Sequence, residues 1–124
     1  MNIVNVIFPV VVEDLVAQKA ATDHYRRALG LPLKAEFQHA GFTVSWLGPM
    51  VVVGAEDPAA LEVARQVDAI FVVDDLESAW QQVQPESEVL VKPETVPTGG
   101  RFVVRHTNGD GRVIEYLDLS NAGG

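Results

Sequence analysis

Val11-Val12-Glu13-Asp14-Leu15 and Val72-Val73-Asp74-Asp75-Leu76 are nearly the same phrase written twice. Each ends an apolar run on two acidic residues and continues with leucine. Asp14 and Asp75 stand 61 positions apart in a chain of 124, about half its length. An aspartate at such a boundary accepts backbone N–H bonds and starts a helix. The phrase therefore reads as the end of a strand and the N-cap of a helix, twice.

Working outward from the first copy, Ile3 to Val12 is almost wholly apolar and reads as a strand covered on both faces. Leu15 to Leu29 is predicted helical. Ala17, Ala21, Tyr25, Ala28 and Leu29 recur at helical spacing and are expected to face inward, with Lys19, Asp23, Arg26 and Arg27 outward. Gly30 suits the C′ position, and Pro32 cannot continue the helix. Three short strands follow, Leu33 to Gln38, Phe42 to Leu47 and Met50 to Val53, punctuated by Gly41 and Gly48-Pro49. Alternation sends Phe42, Val44 and Trp46 one way and Thr43, Ser45 and Leu47 the other. Glu56 to Gln66 reads as a polar connection with one helical turn around Leu61 to Arg65.

The second copy restarts the pattern. Ala69 to Val73 is a strand and Leu76 to Val83 a helix whose Leu76, Ala79, Trp80 and Val83 share a core face. Strands are predicted over Glu88 to Lys92, Gly100 to Arg105 and Arg112 to Leu119, with turns at Pro93 to Gly99 and Thr107 to Gly111 and a loose tail from Ser120 to Gly124. The chain is thus one α+β domain of two β-α-β-β-β modules: 1–57, a connection over 58–66, and 67–124. One such unit cannot bury its sheet alone, so the two are expected to depend on each other.

Composition narrows the function classes. Apolar residues make up 48% of the chain, enough for a packed core, and charged ones 21%. With no cysteine there are no disulfides, thiol chemistry or cysteine-bound metals. No apolar run approaches the roughly 20 residues that cross a bilayer. Met1-Asn2-Ile3-Val4 lacks the basic start of a secretory leader, so a cytoplasmic location without membrane association is expected. Seventeen acidic residues against nine basic ones give a net charge of −8. A phosphate backbone would be repelled, and no basic stripe interleaved with aromatics is present, so nucleic acid is not an expected partner. The acidity has two readings, ordinary solubility or a ligand that carries positive charge. No Ser-His-Asp pattern, phosphate-cradling glycine loop or nucleophile motif occurs.

At this point the sequence resembles the vicinal oxygen chelate superfamily of glyoxalases, bleomycin-resistance proteins and extradiol dioxygenases. The resemblance lies in Val12-Glu13-Asp14-Leu15 and His24-Tyr25-Arg26-Arg27-Ala28-Leu29-Gly30-Leu31, the latter similar to the family's first-helix ending with His24 in place of phenylalanine. It continues in Phe71-Val72-Val73-Asp74-Asp75-Leu76 and in Asn108-Gly109-Asp110-Gly111-Arg112-Val113-Ile114-Glu115 of the last strand. It implies curved mixed sheets around a cavity, with helices on their outer faces. Alternation would then pack Phe8, Val10, Val12, Phe71, Val73, Ile114 and Tyr116 under the helices. Ile7, Pro9, Val11, Asp68, Ile70, Val72, Val113 and Glu115 would face the cavity.

Metal-dependent members carry ligands on the first and last strands of each module, and the resemblance maps those positions to Ile7, one of Val51 to Val53, Asp68 and Glu115. Isoleucine and valine bind no metal. Two carboxylates and no nitrogen make a poor site for zinc, iron or nickel. No cofactor is therefore expected; Asp68 and Glu115 would hold a divalent ion if one bound. Otherwise Asp68 is a strand-end residue bonded to backbone or water, and Glu115 is either a carboxylate paired with Arg101 or Arg105 or a polar anchor for a ligand. His106, at a strand end, is a surface hydrogen-bonding group unless it turns toward Glu115.

Trp46 reads either as core or as a stacking wall for a planar ligand, which Phe37, Phe42 and Phe102 would extend. With Ile7, Pro9, Asp68, His106 and Glu115 these form the candidate ligand-binding set, with no catalytic residue assigned. The expected function is that of the family's drug-sequestering branch: a homodimeric binder of an aromatic or amphipathic small molecule such as an antibiotic. The alternative is a metal-dependent lyase, isomerase or dioxygenase, and a third is a regulatory domain with an empty cavity.

Overall fold

A computed structural model describes residues 1–120, so the end of the expected loose tail lies outside the described residues. The fold is α+β. Contacts divide the chain into an N-terminal unit, Ile7–Gln66, and a C-terminal unit of Met1–Val6 with the chain from Val67 onward.

The N-terminal unit contains most of strand β1 (Ile3–Val11), then α1 (Leu15–Leu29), β2 (Ala35–His39), β3 (Phe42–Trp46) and β4 (Met50–Ala55). A 3-10 turn over Pro58–Leu61 and the short α2 (Glu62–Gln66) complete it. The strand order is β2-β3-β4-β1, with β4 returning parallel to β1 through Phe8↔Met50 to Val11↔Val53. The C-terminal unit repeats this plan with β5 (Ala69–Val73), α3 (Leu76–Val83), β6 (Glu88–Val96), β7 (Gly99–Arg105) and β8 (Val113–Leu117). Its order is β6-β7-β8-β5, and β8 runs parallel to β5.

Both aspartates cap their helices. Asp14 accepts from the Ala17 N–H at 2.7 Å and Asp75 from the Ser78 N–H at 3.1 Å. Each N-cap residue has extended dihedrals, and Gly30 closes α1 at φ 65°. The β2–β3 hairpin turns on Ala40 and Gly41, at φ 51° and 83°, the pair of positive values that a tight two-residue hairpin requires. Among the described residues no helix is long and apolar enough to cross a membrane.

Several expectations need correction. Strand β6 runs through Pro93 to Val96, where a turn was predicted. Within its unit β6 pairs only with β7, and one of its two register shifts falls between Val91 and Glu94, so Pro93 stands at an irregularity on a strand with one partner. The connection over 58–66 carries its expected helical turn as α2, and a 3-10 turn over Pro58–Leu61 precedes it.

Helix α1 turns a different face to the sheet than its alanines suggest. Gln18 and Thr22 are buried, whereas Ala28 and Leu29 are exposed. Gly54 explains the approach: a Cβ there would lie 2.7 Å from the Asp14 carbonyl oxygen and from Gln18 Cβ. The helix rests directly on the β4 backbone, and its buried polar groups find partners there. Gln18 Nε2 donates to Ser45 Oγ at 2.8 Å and to the Val52 carbonyl at 3.1 Å. Ser45 Oγ donates to Glu36 Oε2 at 2.7 Å, and Thr22 Oγ1 to the Gln18 carbonyl. Satisfied in this way, a buried amide costs little. Phe8, expected beneath a helix, is 62% exposed.

The seam of α3 is apolar, as predicted. Ala79 is fully buried with Val73, Phe102, Val104, Ile114 and Tyr116, and Leu76, Trp80 and Val83 pack against them.

Candidate functional site

Strand register sorts the candidate residues by face. In the N-terminal unit Ala35, Trp46, Val51 and Pro9 lie side by side across the sheet. Phe37, Val44, Val53 and Val11 form the next row, and His39, Phe42 and Ala55 a third. Residues directly opposite one another share a face, and Ser45 and Val52, which meet α1, alternate with these rows. Pro9, Phe37, Phe42 and Trp46 therefore lie together on the face turned away from α1.

This face is apolar and incompletely covered. Trp46, Phe37, Phe42, Val44 and Pro9 are half-buried. Ile7 shares their alternation but is 1% exposed, so it is core and offers no surface to a ligand. The Trp46 ring is held at its edge, with Nε1 donating to the Gly48 carbonyl at 2.8 Å, and Lys34 Nζ stands 5.7 Å from the ring centroid. Its orientation is set before any ligand arrives.

In the C-terminal unit the face opposite α3 differs. Ile70, Val72, Val103, Val113 and Leu117 are all buried. Glu115 sits between Ile70 and Val103 in cross-strand register. Arg101 Nε and Nη2 reach Glu115 Oε1 at 3.3 and 3.1 Å, and Arg101 Nη1 donates to Glu94. Burial pushes the Glu115 carboxyl above its ordinary value, and the Arg101 guanidinium pulls it part of the way back. Of the two arginines considered for Glu115, Arg101 is the partner.

The remaining candidates disperse. Asp68 Oδ2 accepts from the Val113 N–H at 3.0 Å, and Oδ1 lies 3.7 Å from Arg112 Nη1. It ties the end of β5 to β8. Phe102 is not a ligand wall: it is fully buried under α3, 5.1 Å from Trp80 and stacked 4.9 Å from Tyr116. Its place follows from alternation, since Phe102 and Val104 face α3 while Arg101 and Val103 face away. His106 does not turn toward Glu115. Its Nε2 lies 2.8 Å from the Tyr116 hydroxyl, on the α3 side of the sheet.

The positions that the resemblance assigns to a metal do not fit a divalent ion. In the N-terminal unit Ile7 and Val51 to Val53 carry no donor atom. In the C-terminal unit Asp68 and Glu115 are each already engaged by an arginine. Among the described residues no three His, Asp or Glu side chains gather as a metal site.

Two groups on the aromatic face escaped the sequence reading. His39 falls in the alternation of Ala35 and Phe37 and is the last residue of β2, one position beyond the predicted strand end. Lys34 lies outside β2, and its long side chain alone brings it over Trp46.

No protein-family model matches the sequence, and no curated protein matches it. Solved structures do. A structure of an uncharacterized protein from Methanosarcina mazei superposes with a TM-score of 0.78 at 28% identity, over 97% of this chain and 95% of that one. Methylmalonyl-CoA epimerase from Mycobacterium tuberculosis gives 0.74 at 14% identity, over 95% and 89%. A glyoxalase/bleomycin resistance protein/dioxygenase superfamily member from Vibrio splendidus 12B01 gives 0.52 at 17% identity, over 92% and 97%. The chain has the vicinal oxygen chelate fold. That fold hosts an epimerase as well as the superfamily member, so it does not select a chemistry. Within the vicinal oxygen chelate frame, the chemistry of this chain rests on its own residues.

Proposed function

We propose that this chain binds a small aromatic or amphipathic molecule on the face of the N-terminal unit that carries Pro9, Phe37, Phe42 and Trp46, and that it acts by sequestering that molecule, an antibiotic being the kind of ligand that suits such a role. One observation carries the reading: strand register sets three aromatic side chains on one half-buried, apolar sheet face with its tryptophan already oriented. Rigid aromatics bind planar ligands at low entropic cost. On the same reading the protein works as a homodimer, which sedimentation at micromolar concentration checks.

Titration with planar aromatic compounds tests the site. Quenching of tryptophan fluorescence, unaffected by chelator and weakened about tenfold or more in Trp46→Ala, is the expected result. Undiminished binding by Trp46→Ala removes this face from the function. The rival reading, a metal-dependent lyase, isomerase or dioxygenase using Asp68 and Glu115, draws on the epimerases among the similar structures. A stoichiometric transition metal in protein purified without chelator, lost along with activity in Glu115→Ala, would establish the rival instead.

A further inference from the structure

The aromatic face is unusual for the chain that bears it. Seventeen of the 124 residues are acidic and nine are basic. Yet the three rows that make up this face contain no carboxylate. Glu36, the acid of β2, alternates to the other side, where it accepts from Ser45 beneath α1. Two bases stand toward the ends of the face. Lys34 stands over Trp46 at one end, and His39 lies beside Phe42 at the other. They stand five positions apart along extended chain, about 17 Å. Among the described residues Lys34 has no ion pair and no hydrogen bond from its ammonium. Its one partner is the ring of Trp46, a weak cation–π contact at an exposed site.

We propose that the ligand of this face carries an acidic group, held by the Lys34 ammonium, on a planar apolar body that packs against Trp46, Phe37 and Phe42. This rests on the reading above that the face is the binding site, and of the two readings of the acidity it leaves ordinary solubility and sets aside a cationic ligand. Net charge describes the whole surface, whereas a ligand responds to the groups within a Debye length of about 8 Å at physiological salt. Here the nearest of them is a lysine. An anionic group at the Trp46 end pairs with Lys34 without displacing a carboxylate, because none competes there. A cationic group at the same end would meet like charge.

Three probes of one shape separate the possibilities: 2-naphthoate, neutral 2-naphthamide and cationic 2-naphthylmethylamine, each titrated against the full chain by tryptophan quenching. The expected order is naphthoate tightest, about fivefold above the amide, which is the scale of one exposed ion pair, with the amine weakest. The naphthoate-to-amide ratio is expected to fall to about one in Lys34→Met, to persist in Lys34→Arg, and to shrink as salt is raised. Equal affinity of naphthoate and amide, tighter binding of the amine, or a ratio that survives Lys34→Met overturns the acidic-ligand inference and leaves the aromatic face standing. Failure of all three probes to bind overturns the aromatic-face reading and this inference with it.

Discussion

The two modules of this chain share a backbone plan and differ in what they bury. Each runs strand, helix and three strands, and each starts its helix from an aspartate that accepts from the N–H three residues on. Between α3 and its sheet lies an aromatic cluster of Trp80 from the helix with Phe71, Phe102 and Tyr116 from the strands. Beneath α1 lies a polar chain, Gln18 to Ser45 to Glu36, with Gly54 admitting the helix against the sheet. The faces turned away from the helices are exchanged in character. The N-terminal unit presents half-buried aromatics there, and the C-terminal unit a part-buried Arg101–Glu115 pair among aliphatics, with exposed Glu94 at its edge. A repeat conserves the steps that set chain direction, caps and register. What packs between those steps is free to diverge.

The largest effect that sharpens this contrast is in the aromatic cores. Phe102→Ala is expected to destabilise the fold by about 3–5 kcal/mol, because it opens a cavity under α3. Trp46→Ala, on the half-buried face, should cost only about 1–2 kcal/mol. Urea unfolding of both variants measures the difference, and equal losses would mean that Trp46 is as much core as Phe102.

The ion cluster comes next. Arg101→Met leaves the part-buried Glu115 without its partner, at a cost of about 1–3 kcal/mol at neutral pH. The loss should shrink on acidification. A carboxyl whose pKa is raised on folding binds its proton more tightly in the folded state. Stability therefore falls as pH rises from the ordinary glutamate value of 4.5 toward the raised one, then levels off. Removing Arg101 raises that pKa further and widens the window. Urea melts at pH 7 and pH 5 should show the smaller deficit at pH 5. A deficit that does not change with pH would mean that Arg101 acts by packing rather than by charge.

The smallest effect tests what the modules share. Asp14→Ala and Asp75→Ala should each cost about 1 kcal/mol and agree within a few tenths. Unequal losses, read from thermal melts, would break the equivalence of the two caps.

The placement of individual residues shows what could be read in advance. Asp14, Asp75, Gly30 and the α3 seam were legible because caps, C′ glycines and amphipathic spacing are local, set within a few residues. Phe102 was misplaced although its strand was recognised. Which face of β7 meets α3 depends on pairing with β8, a contact between distant parts of the chain. Gln18 and Thr22 gave no apolar signal, and their burial depends on acceptors on β3 and β4 that only the folded chain supplies. For Glu115 the sequence leaves a ligand anchor and an arginine-paired carboxylate both open, and its pairing with Arg101 depends on the cross-strand register.

The sequence by itself determined the repeated module, its helix starts and ends, and the alternation that puts Phe42, Val44 and Trp46 on one side of their strand. Those are consequences of short-range sterics and of hydrophobic period. Tertiary structure alone decided which side is covered, which carboxylates meet guanidinium groups, and that Lys34 reaches Trp46. Each of those depends on strand register and helix docking, which bring together residues that nothing in their local sequence connects.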